Sequence, residues 1–264
     1  MIVPELVDGC LLHCSLCWNR NRTPSFKQME LSTVEQVLLV FKGYRLYWFN
    51  WGEPLLHKEF ITVADMVKDT FSAISSSLSM KLSDKQIDAI RKFKVVYVSL
   101  SGMCKETYHI YNRGGNFNQA IENLKTIAKD RRNRVIMQWE MHQLNEKHFN
   151  TAKAFAQSLN IEFSPFGLNC EVEDLIDGID NMTVLEKDLL KTPKEYPDVH
   201  ECPLIRKNIP IDVDGNFLLC CASHNVKIGI DIWDGFTFDE LFDAKLKTEI
   251  CSKCRENEHW RFFL

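Results

Sequence analysis

The sequence lacks the features that mark membrane, secreted and nucleic-acid-binding proteins. Among its 264 residues, no apolar run is close in length to the roughly 18 consecutive apolar residues that a membrane span needs. No basic segment followed by an apolar stretch precedes the first cysteine, as a signal peptide would require. The 32 basic and 36 acidic residues leave a net charge of −4, so no basic excess attracts nucleic acid or an anionic membrane. We therefore expect a cytoplasmic protein with neither partner.

The ten cysteines are too few for a small disulfide scaffold and many for a cytosolic enzyme. In a reducing compartment they are expected to be metal ligands or catalytic groups. They lie mostly at the two ends of the chain: Cys10, Cys14 and Cys17 near the start, and Cys202, Cys220, Cys221, Cys251 and Cys254 near the end.

The first two thirds of the chain alternate strand-like and helix-like stretches. Short apolar runs predict strands at residues 2–6, 46–50, 72–76, 95–99, 135–141 and 161–166. Amphipathic segments between them predict helices at residues 33–41, 60–69, 83–93, 118–129 and 146–159. This alternation is typical of parallel βαβ units, and the right-handed crossover rule curls such a sheet into a barrel or part-barrel. We expect an α/β fold with a partial (β/α)6 TIM-like barrel, whose active site lies at the C-terminal ends of the strands.

The pattern changes after Leu168. The acidic, loop-rich stretch that follows predicts a linker, and a cysteine-bearing unit follows it. Asp214-Gly215 predicts a hairpin turn, and residues 236–250 predict a helix that delivers Cys251 and Cys254. The predicted organisation is therefore a barrel at 1–168, a linker at 169–201 and a C-terminal unit at 202–264.

Three cysteines spaced as Cys10, Cys14 and Cys17 form a loop directly after the first strand. A structural zinc site requires a fourth ligand, and His13 is the local candidate for it. Four-iron clusters take one cysteine per iron, so three cysteines leave one iron open to bind a cofactor or substrate. A zinc or thiol cluster without catalytic function is the alternative.

The motif Cys-x3-Cys-x2-Cys followed by Trp18 resembles the signature of the radical S-adenosylmethionine (radical SAM) superfamily. The resemblance implies that Cys10, Cys14 and Cys17 hold a [4Fe-4S] cluster whose open iron binds S-adenosylmethionine (AdoMet), next to Leu16 and Trp18. In this family, reductive cleavage of AdoMet yields a 5'-deoxyadenosyl radical that abstracts a hydrogen from the substrate.

Two further stretches resemble the family's cofactor-binding motifs. Trp51-Gly52-Glu53-Pro54 resembles the Gly-Gly-Glu-Pro motif, with tryptophan in place of the first glycine. The resemblance implies that Gly52 allows the backbone to come close to a ligand, and that the Glu53 carboxylate or a neighbouring carbonyl accepts a hydrogen bond from the cofactor ammonium. Ser99 and Arg113 match the strand-end serine and the arginine that meets the cofactor carboxylate. The alternatives are a plain turn at Gly52-Glu53-Pro54 and a solvated surface charge at Arg113.

On the fifth predicted strand, period-2 alternation places Gln138, Glu140 and His142 on one face. In a barrel this inward face would be unusually polar, which favours a catalytic site over a core. A buried polar network that satisfies itself is the alternative.

The distal cysteines resemble the opening of the SPASM extension of radical SAM enzymes, in its shorter twitch form with one auxiliary cluster. This resemblance implies a second [4Fe-4S] cluster held by Cys202, Cys220, Cys251 and Cys254, with Cys221 as an alternative to Cys220 or a free catalytic thiol. A zinc ribbon is the alternative.

A fully ligated auxiliary cluster implies electron transfer. The cysteine layout is similar to that of twitch-bearing dehydrogenases of 2-deoxy-scyllo-inosamine. We therefore expect hydrogen abstraction from a small sugar, polyol or aminocyclitol, ending in dehydrogenation or epimerisation, with a flavodoxin or ferredoxin as electron donor. Peptide-modifying relatives usually carry a leader-binding extension, and only nine residues precede Cys10, so a peptide or protein maturase is the second expectation. A noncatalytic zinc or iron–sulfur protein is the third.

Overall fold

The computed structural model describes residues 1–15, 17, 23–130, 132–167, 203–220 and 223–251. Strands and helices alternate through the first two thirds of the chain. The strands are β1 (Ile2–Pro4), β2 (Leu46–Tyr47), β3 (Ser72–Ser76), β4 (Val95–Ser99), β5 (Arg134–Met141) and β6 (Glu162–Gly167). The helices between them are α1 (Leu31–Val40), α2 (Phe60–Val67), α3 (Asp84–Ile90), α4 (Lys105–Tyr111), α5 (Phe117–Ala128) and α6 (Phe149–Ser158). Short 3-10 turns occupy Pro54–Leu56 and Glu146–His148.

These six strands are parallel and lie side by side in chain order. The sheet is open, as in a partial TIM barrel, and the expected fold class is confirmed. Because the strands are parallel, their C-terminal ends share one edge, where the loops after β1, β2, β4 and β5 meet.

The C-terminal part of the chain extends the same sheet. It contains α7 (Pro203–Lys207), β7 (Ile209–Ile211), β8 (Asn216–Cys220), β9 (Ser223–Asp231) and α8 (Phe238–Leu246). Strand β7 pairs in parallel with β1, and β8 and β9 follow as antiparallel neighbours, giving a nine-stranded sheet. The predicted hairpin turn is present, with Gly215 at a φ of 88° that favours glycine. The predicted division at 168 and 202 stays a prediction, since residues 168–202 lie outside the described part of the chain.

Two of the helices begin with a capping box. Ser83 and Gln86 form the capping box of α3, and Thr237 and Glu240 form that of α8. Among the described residues, no helix is long and apolar enough to cross a membrane.

The two faces of the barrel sheet differ in chemistry. On the outer face, Val96, Val98, Met137 and Trp139 are buried in the main core beneath the helices. The inner face carries a cluster of three aromatic rings toward the N-terminal ends of the strands, where Phe49 contacts both Tyr47 and Tyr97 edge to face. Ala73, Val95 and Ile136, on β3 to β5, pack against these rings. This end of the interior is therefore filled by side chains.

Candidate functional site

The cysteine loop lies at the C-terminal edge of the sheet and is fixed by the end of α4. On either side of Cys14, the amide of His13 donates to the Arg113 carbonyl (2.8 Å) and that of Ser15 to the Tyr111 carbonyl (3.0 Å). These two bonds hold the loop alongside residues 111–113. The loop is therefore attached to the barrel by main-chain contacts, independently of any bound group.

The three thiols share one site. Burial raises the pKa of Cys10 to about 12, with further contributions from Glu53 and Cys17. Burial also raises the pKa of Cys14, and Cys17, Cys10 and Glu140 raise it further. The thiols thus lie within electrostatic range of one another, in surroundings that disfavour thiolates unless a positive charge is present. Iron supplies such a charge, so this donor set fits a cluster.

A single metal ion fits this site less well. Within the described ranges, no three His, Cys, Asp or Glu side chains come close enough together to hold one ion. Cys10, Cys14 and Cys17 are all described, so they do not form such a group. Leu16 and Trp18, which were also predicted to contact the cofactor, lie outside the described residues.

The Trp51-Gly52-Glu53-Pro54 segment passes directly beneath the cysteine loop. A side chain at Gly52 would place its Cβ 1.7 Å from the Val7 carbonyl oxygen, so only glycine fits. The amide of Glu53 donates to the Gly9 carbonyl at 2.8 Å, next to Cys10. Gly52 is thus required by packing against the chain's own backbone at Val7, and its close approach to a ligand stays a prediction.

The Glu53 carboxylate is engaged inside the protein. It accepts from the amides of Leu55 and Ser77 and from the hydroxyl of Ser77. The Ser76 hydroxyl also lowers its pKa by hydrogen bonding, although burial raises the pKa overall. A carboxylate has about four acceptor positions. Since these are used, the second predicted acceptor, a main-chain carbonyl of this segment, is better suited to a cofactor ammonium.

Sequence reasoning missed Glu5, which supports this segment from below. Its buried carboxylate accepts from the amides of Trp51 (3.1 Å) and Gly52 (2.9 Å). The only signal in the sequence is an acidic residue inside an apolar strand-like run, which gives no partner.

Ser99, predicted to bind the cofactor, ends β4 and pairs in register with Gln138 of β5 and, through it, Ser164 of β6. Its hydroxyl hydrogen bonds to the Glu140 carboxylate. Arg113 follows α4, and its neighbour Gly114 lies near Leu11 and His13 of the cysteine loop. The structure therefore places Ser99 and Arg113 at the same edge as the cysteines.

Glu140 lies at the centre of a buried polar network. Its carboxylate accepts from the hydroxyls of Ser101 and Ser99, and burial raises its pKa despite these bonds. The side-chain Nδ2 of Asn145 donates to the main-chain carbonyls of Ser101 (2.7 Å) and Glu140 (2.8 Å). These two bonds join the ends of β4 and β5. The predicted polar face extends along β5 as far as Glu140, and Trp139, on the opposite face, is buried in the main core.

His142 differs from the rest of this network. Its side chain is only 5% exposed, yet neither ring nitrogen has a hydrogen-bond partner among the described residues. Burial lowers its pKa to about 4, so the ring is neutral at pH 7. Its backbone is fixed by Asn145, whose side-chain oxygen accepts from the His142 amide at 2.9 Å. A buried imidazole with two unused nitrogens is expected to bind a ligand or water.

The distal cysteines are described in part. Cys220 ends β8, and the buried Cys251 follows α8. The Lys245 ammonium of α8 donates to the carbonyls of Ile205 (3.2 Å) and Asn208 (2.8 Å), so α7 and α8 are joined. Cys202, Cys221 and Cys254 lie outside the described residues, as does Cys170.

An open parallel part-barrel with a three-thiol loop at the C-terminal end of its first strand defines a class of iron–sulfur enzyme folds. The family model "Radical SAM superfamily" matches residues 5–156, more than half of the chain. The chain therefore belongs to the radical SAM superfamily, whose members bind AdoMet and a [4Fe-4S] cluster.

Three solved structures show the same fold. Streptococcus suis SuiB bound to precursor peptide SuiA aligns with a TM-score of 0.70 at 13% identity, covering 95% of this chain and 66% of that one. Native anSMEcpe with bound AdoMet aligns with a TM-score of 0.62 at 15% identity, covering 96% and 83%. BtrN in complex with AdoMet and 2-DOIA aligns with a TM-score of 0.52 at 14% identity, covering 99% and 87%. This chain thus spans about two thirds of SuiB and more of the other two.

A search of curated protein sequences finds no significant match.

Proposed function

We propose that this radical SAM enzyme abstracts a hydrogen from a small polar substrate, a sugar, polyol or aminocyclitol, and completes a dehydrogenation or an epimerisation. The observation that carries the proposal is the composition of the inner face. Beyond the aromatic cluster, Ser99, Gln138 and Ser164 form one row across β4 to β6, and Glu140 lies one level higher. Hydroxyl, amide and carboxylate groups suit a substrate rich in hydroxyls.

Cys10, Cys14 and Cys17 are proposed to hold the AdoMet-binding cluster, with Gly52, Glu53, Pro54, Ser99 and Arg113 around the cofactor. When bound, the cluster and AdoMet supply the 5'-deoxyadenosyl radical. The chain's own contribution is to hold the loop rigidly on α4 and to keep the substrate against the polar rows.

Dehydrogenation also requires a proton acceptor and an acceptor for one electron. Glu140 is the better base, because burial raises its pKa toward the range where a carboxylate accepts protons effectively. His142, whose ring is neutral and has no hydrogen-bond partner within the described part of the chain, is the second candidate. Cys202, Cys220, Cys251 and Cys254 are proposed to hold an auxiliary cluster that takes the electron, and the Lys245 bridge between α7 and α8 supports this assignment.

A peptide or protein substrate is the second candidate. SuiB is described with a precursor peptide and anSMEcpe with bound peptides. BtrN, described with 2-DOIA, aligns with a lower TM-score than either. At these identities the likeness shows the fold alone, so the polar inner face decides our preference.

Anaerobic iron and sulfide analysis tests the cofactor assignment. We expect about eight irons per chain, matching two four-iron clusters. Reductant and AdoMet should then release 5'-deoxyadenosine, and a panel of polyols and aminocyclitols should accelerate this release where a peptide panel does not. Zinc in place of iron would refute the proposal in favour of a noncatalytic zinc protein.

The two outcomes differ in whether a hydrogen atom returns to the substrate radical. An epimerase needs a thiol donor, for which Cys104, Cys170 and Cys221 are candidates outside the proposed ligand set. Alanine substitution of each in turn should leave a dehydrogenase active in every variant that keeps its full iron content. Loss of turnover in one such variant, together with solvent deuterium in the wild-type product, would indicate epimerisation.

A further inference from the structure

The sulfur atoms of the cysteine loop receive hydrogen bonds from two different sources. The amides of Leu11 and Leu12 donate to Cys10 Sγ, the second at 3.4 Å, so this bonding is local to the loop. Cys14 Sγ instead accepts from Asn112 Nδ2 at 3.8 Å, a residue 98 positions away. The Cys14 contact therefore depends on the fold and not on the motif.

The loop places these two residues opposite each other. His13 and Ser15, on either side of Cys14, donate to the carbonyls of Arg113 and Tyr111, on either side of Asn112. The Ser15 hydroxyl adds a bond to the Ile110 carbonyl at 2.5 Å. Cys14 is thus held against Asn112 by bonds on both sides.

The orientation of the Asn112 amide follows from its second partner. Asn112 Oδ1 accepts from the Ser101 amide at 3.3 Å, and a main-chain N–H cannot accept in return. The oxygen must therefore face Ser101, which directs Nδ2 to the sulfur. Asn112 is 1% exposed, so water does not compete for this donor.

We infer that Asn112 is a positioning residue that fixes the Cys14 ligand and raises the reduction potential of the AdoMet-binding cluster through its N–H···S bond. The inference rests on the proposed assignment of Cys14 as a ligand. Hydrogen bonds to ligand sulfurs stabilise the more negative, reduced cluster, and they are one of the factors that set cluster potentials. The contact also links the cluster to Ser101 and, through its hydroxyl, to Glu140 on the inner face.

Two variants test this. Asn112→Asp keeps the oxygen that faces Ser101 and removes the donor, and Asn112→Ser removes the donor without adding charge. The matched control is Asn123→Asp, since Asn123 is equally buried but donates to the carbonyls of Leu78 and Met80, away from the cysteine loop. Iron content, thermal stability and the cluster midpoint potential, from an EPR-monitored redox titration, are measured for all four proteins.

We expect both Asn112 variants to shift the midpoint potential of the cluster whose signal responds to AdoMet to more negative values, with the control unchanged. Cleavage of AdoMet should slow with a weak reductant and recover with a stronger one. Pulsed EPR on wild-type protein labelled with 15N-asparagine should show a coupling that both variants lose.

Unchanged potential and coupling in an iron-replete Asn112→Ser protein would overturn the inference. Equal loss of iron from Asn112→Ser and Asn123→Asp would also overturn it, because the amide would then have only a structural role. A wild-type chain that binds no iron would instead refute the proposed function.

Discussion

Gly52 lies where two loops pass within backbone contact at the C-terminal edge of the sheet. Because a Cβ there would lie 1.7 Å from the Val7 oxygen, we expect Gly52→Ala to force the segment away from the cysteine loop. Overpacking of this kind typically costs about 1–3 kcal/mol. The denaturant concentration at the midpoint of unfolding and the affinity for AdoMet should both be lower than in the wild type.

Gly235→Ala is the matched control, since a Cβ at Gly235 meets nothing within 4 Å. A Gly52→Ala protein that unfolds at the same denaturant concentration as the control and keeps its AdoMet affinity would contradict this packing argument.

His142 predicts a particular sensitivity to acid. Burial lowers its folded-state pKa to about 4, below the ordinary 6.5, so the folded protein binds fewer protons than the unfolded chain in this window. Stability contributed by the neutral ring is complete above about pH 6.5 and is lost as the pH falls toward 4.

Between pH 7 and pH 5, we expect the free energy of unfolding of the wild type to fall by about 1–2 kcal/mol relative to that of His142→Gln. Urea unfolding of the holoprotein at both pH values measures it. His109→Gln, at an exposed position, is the control. Parallel pH profiles for wild type and His142→Gln would show that the ring is not buried in solution.

At the scale of secondary-structure elements, Lys245 makes one of the contacts that join α7 to α8. Its fully buried ammonium donates to two main-chain carbonyls at the end of α7. Lys245→Met should leave these carbonyls unsatisfied and cost about 2 kcal/mol or more. Since Cys251 follows α8 and Cys202 precedes α7, iron content should fall from about eight toward about four per chain.

The exposed Lys247 of the same helix end supplies the control, Lys247→Met. If the Lys245→Met protein retains the full iron content of that control, α7 and α8 are held together by other contacts.

The elements that could be predicted from sequence are those whose signal is local. The six barrel strands and the capping box at Ser83 follow from apolar runs and cap spacing. Helix α4 was missed because seven residues carry little periodicity and Cys104 provides no side-chain cap. Strand β9 was missed because its pairing with β8 defines it.

The candidate site divides in the same way. The cysteine motif and Gly52 are readable because neighbouring residues carry them. Glu5 and Asn112 are not readable, because their partners lie 46 and 98 positions away and only the parallel sheet brings them together. The two ring nitrogens of His142 are also not readable as buried and without a hydrogen-bond partner among the described residues, because alternation along one strand does not determine burial.

At the scale of the whole molecule, one sheet connects the two cysteine-bearing regions. Strand β1, which leads into the three-cysteine loop, lies between β2 and β7. Ile2, Val3 and Pro4 pair with Ile209, Pro210 and Ile211. The main core includes residues of both regions, among them Leu6 and Val37 of the barrel and Phe217 and Leu241 of the C-terminal part.

This shared core predicts that the barrel does not fold without the C-terminal strands. Removing residues 202–264 would expose the β1 edge and the apolar side chains that β7 and β8 cover. We expect the truncated chain to aggregate and to bind little iron. Solubility and iron content after anaerobic purification measure this.

The full-length double variant Cys251→Ala, Cys254→Ala separates loss of a cluster from loss of the sheet. It removes two proposed ligands and keeps β7–β9, so it should remain soluble, hold about four irons and still cleave AdoMet. Because the proposed electron acceptor would be absent, oxidised product should fall much further than 5'-deoxyadenosine release. A soluble truncated chain that matches this variant in iron content and AdoMet cleavage would show that the barrel is an independent folding unit.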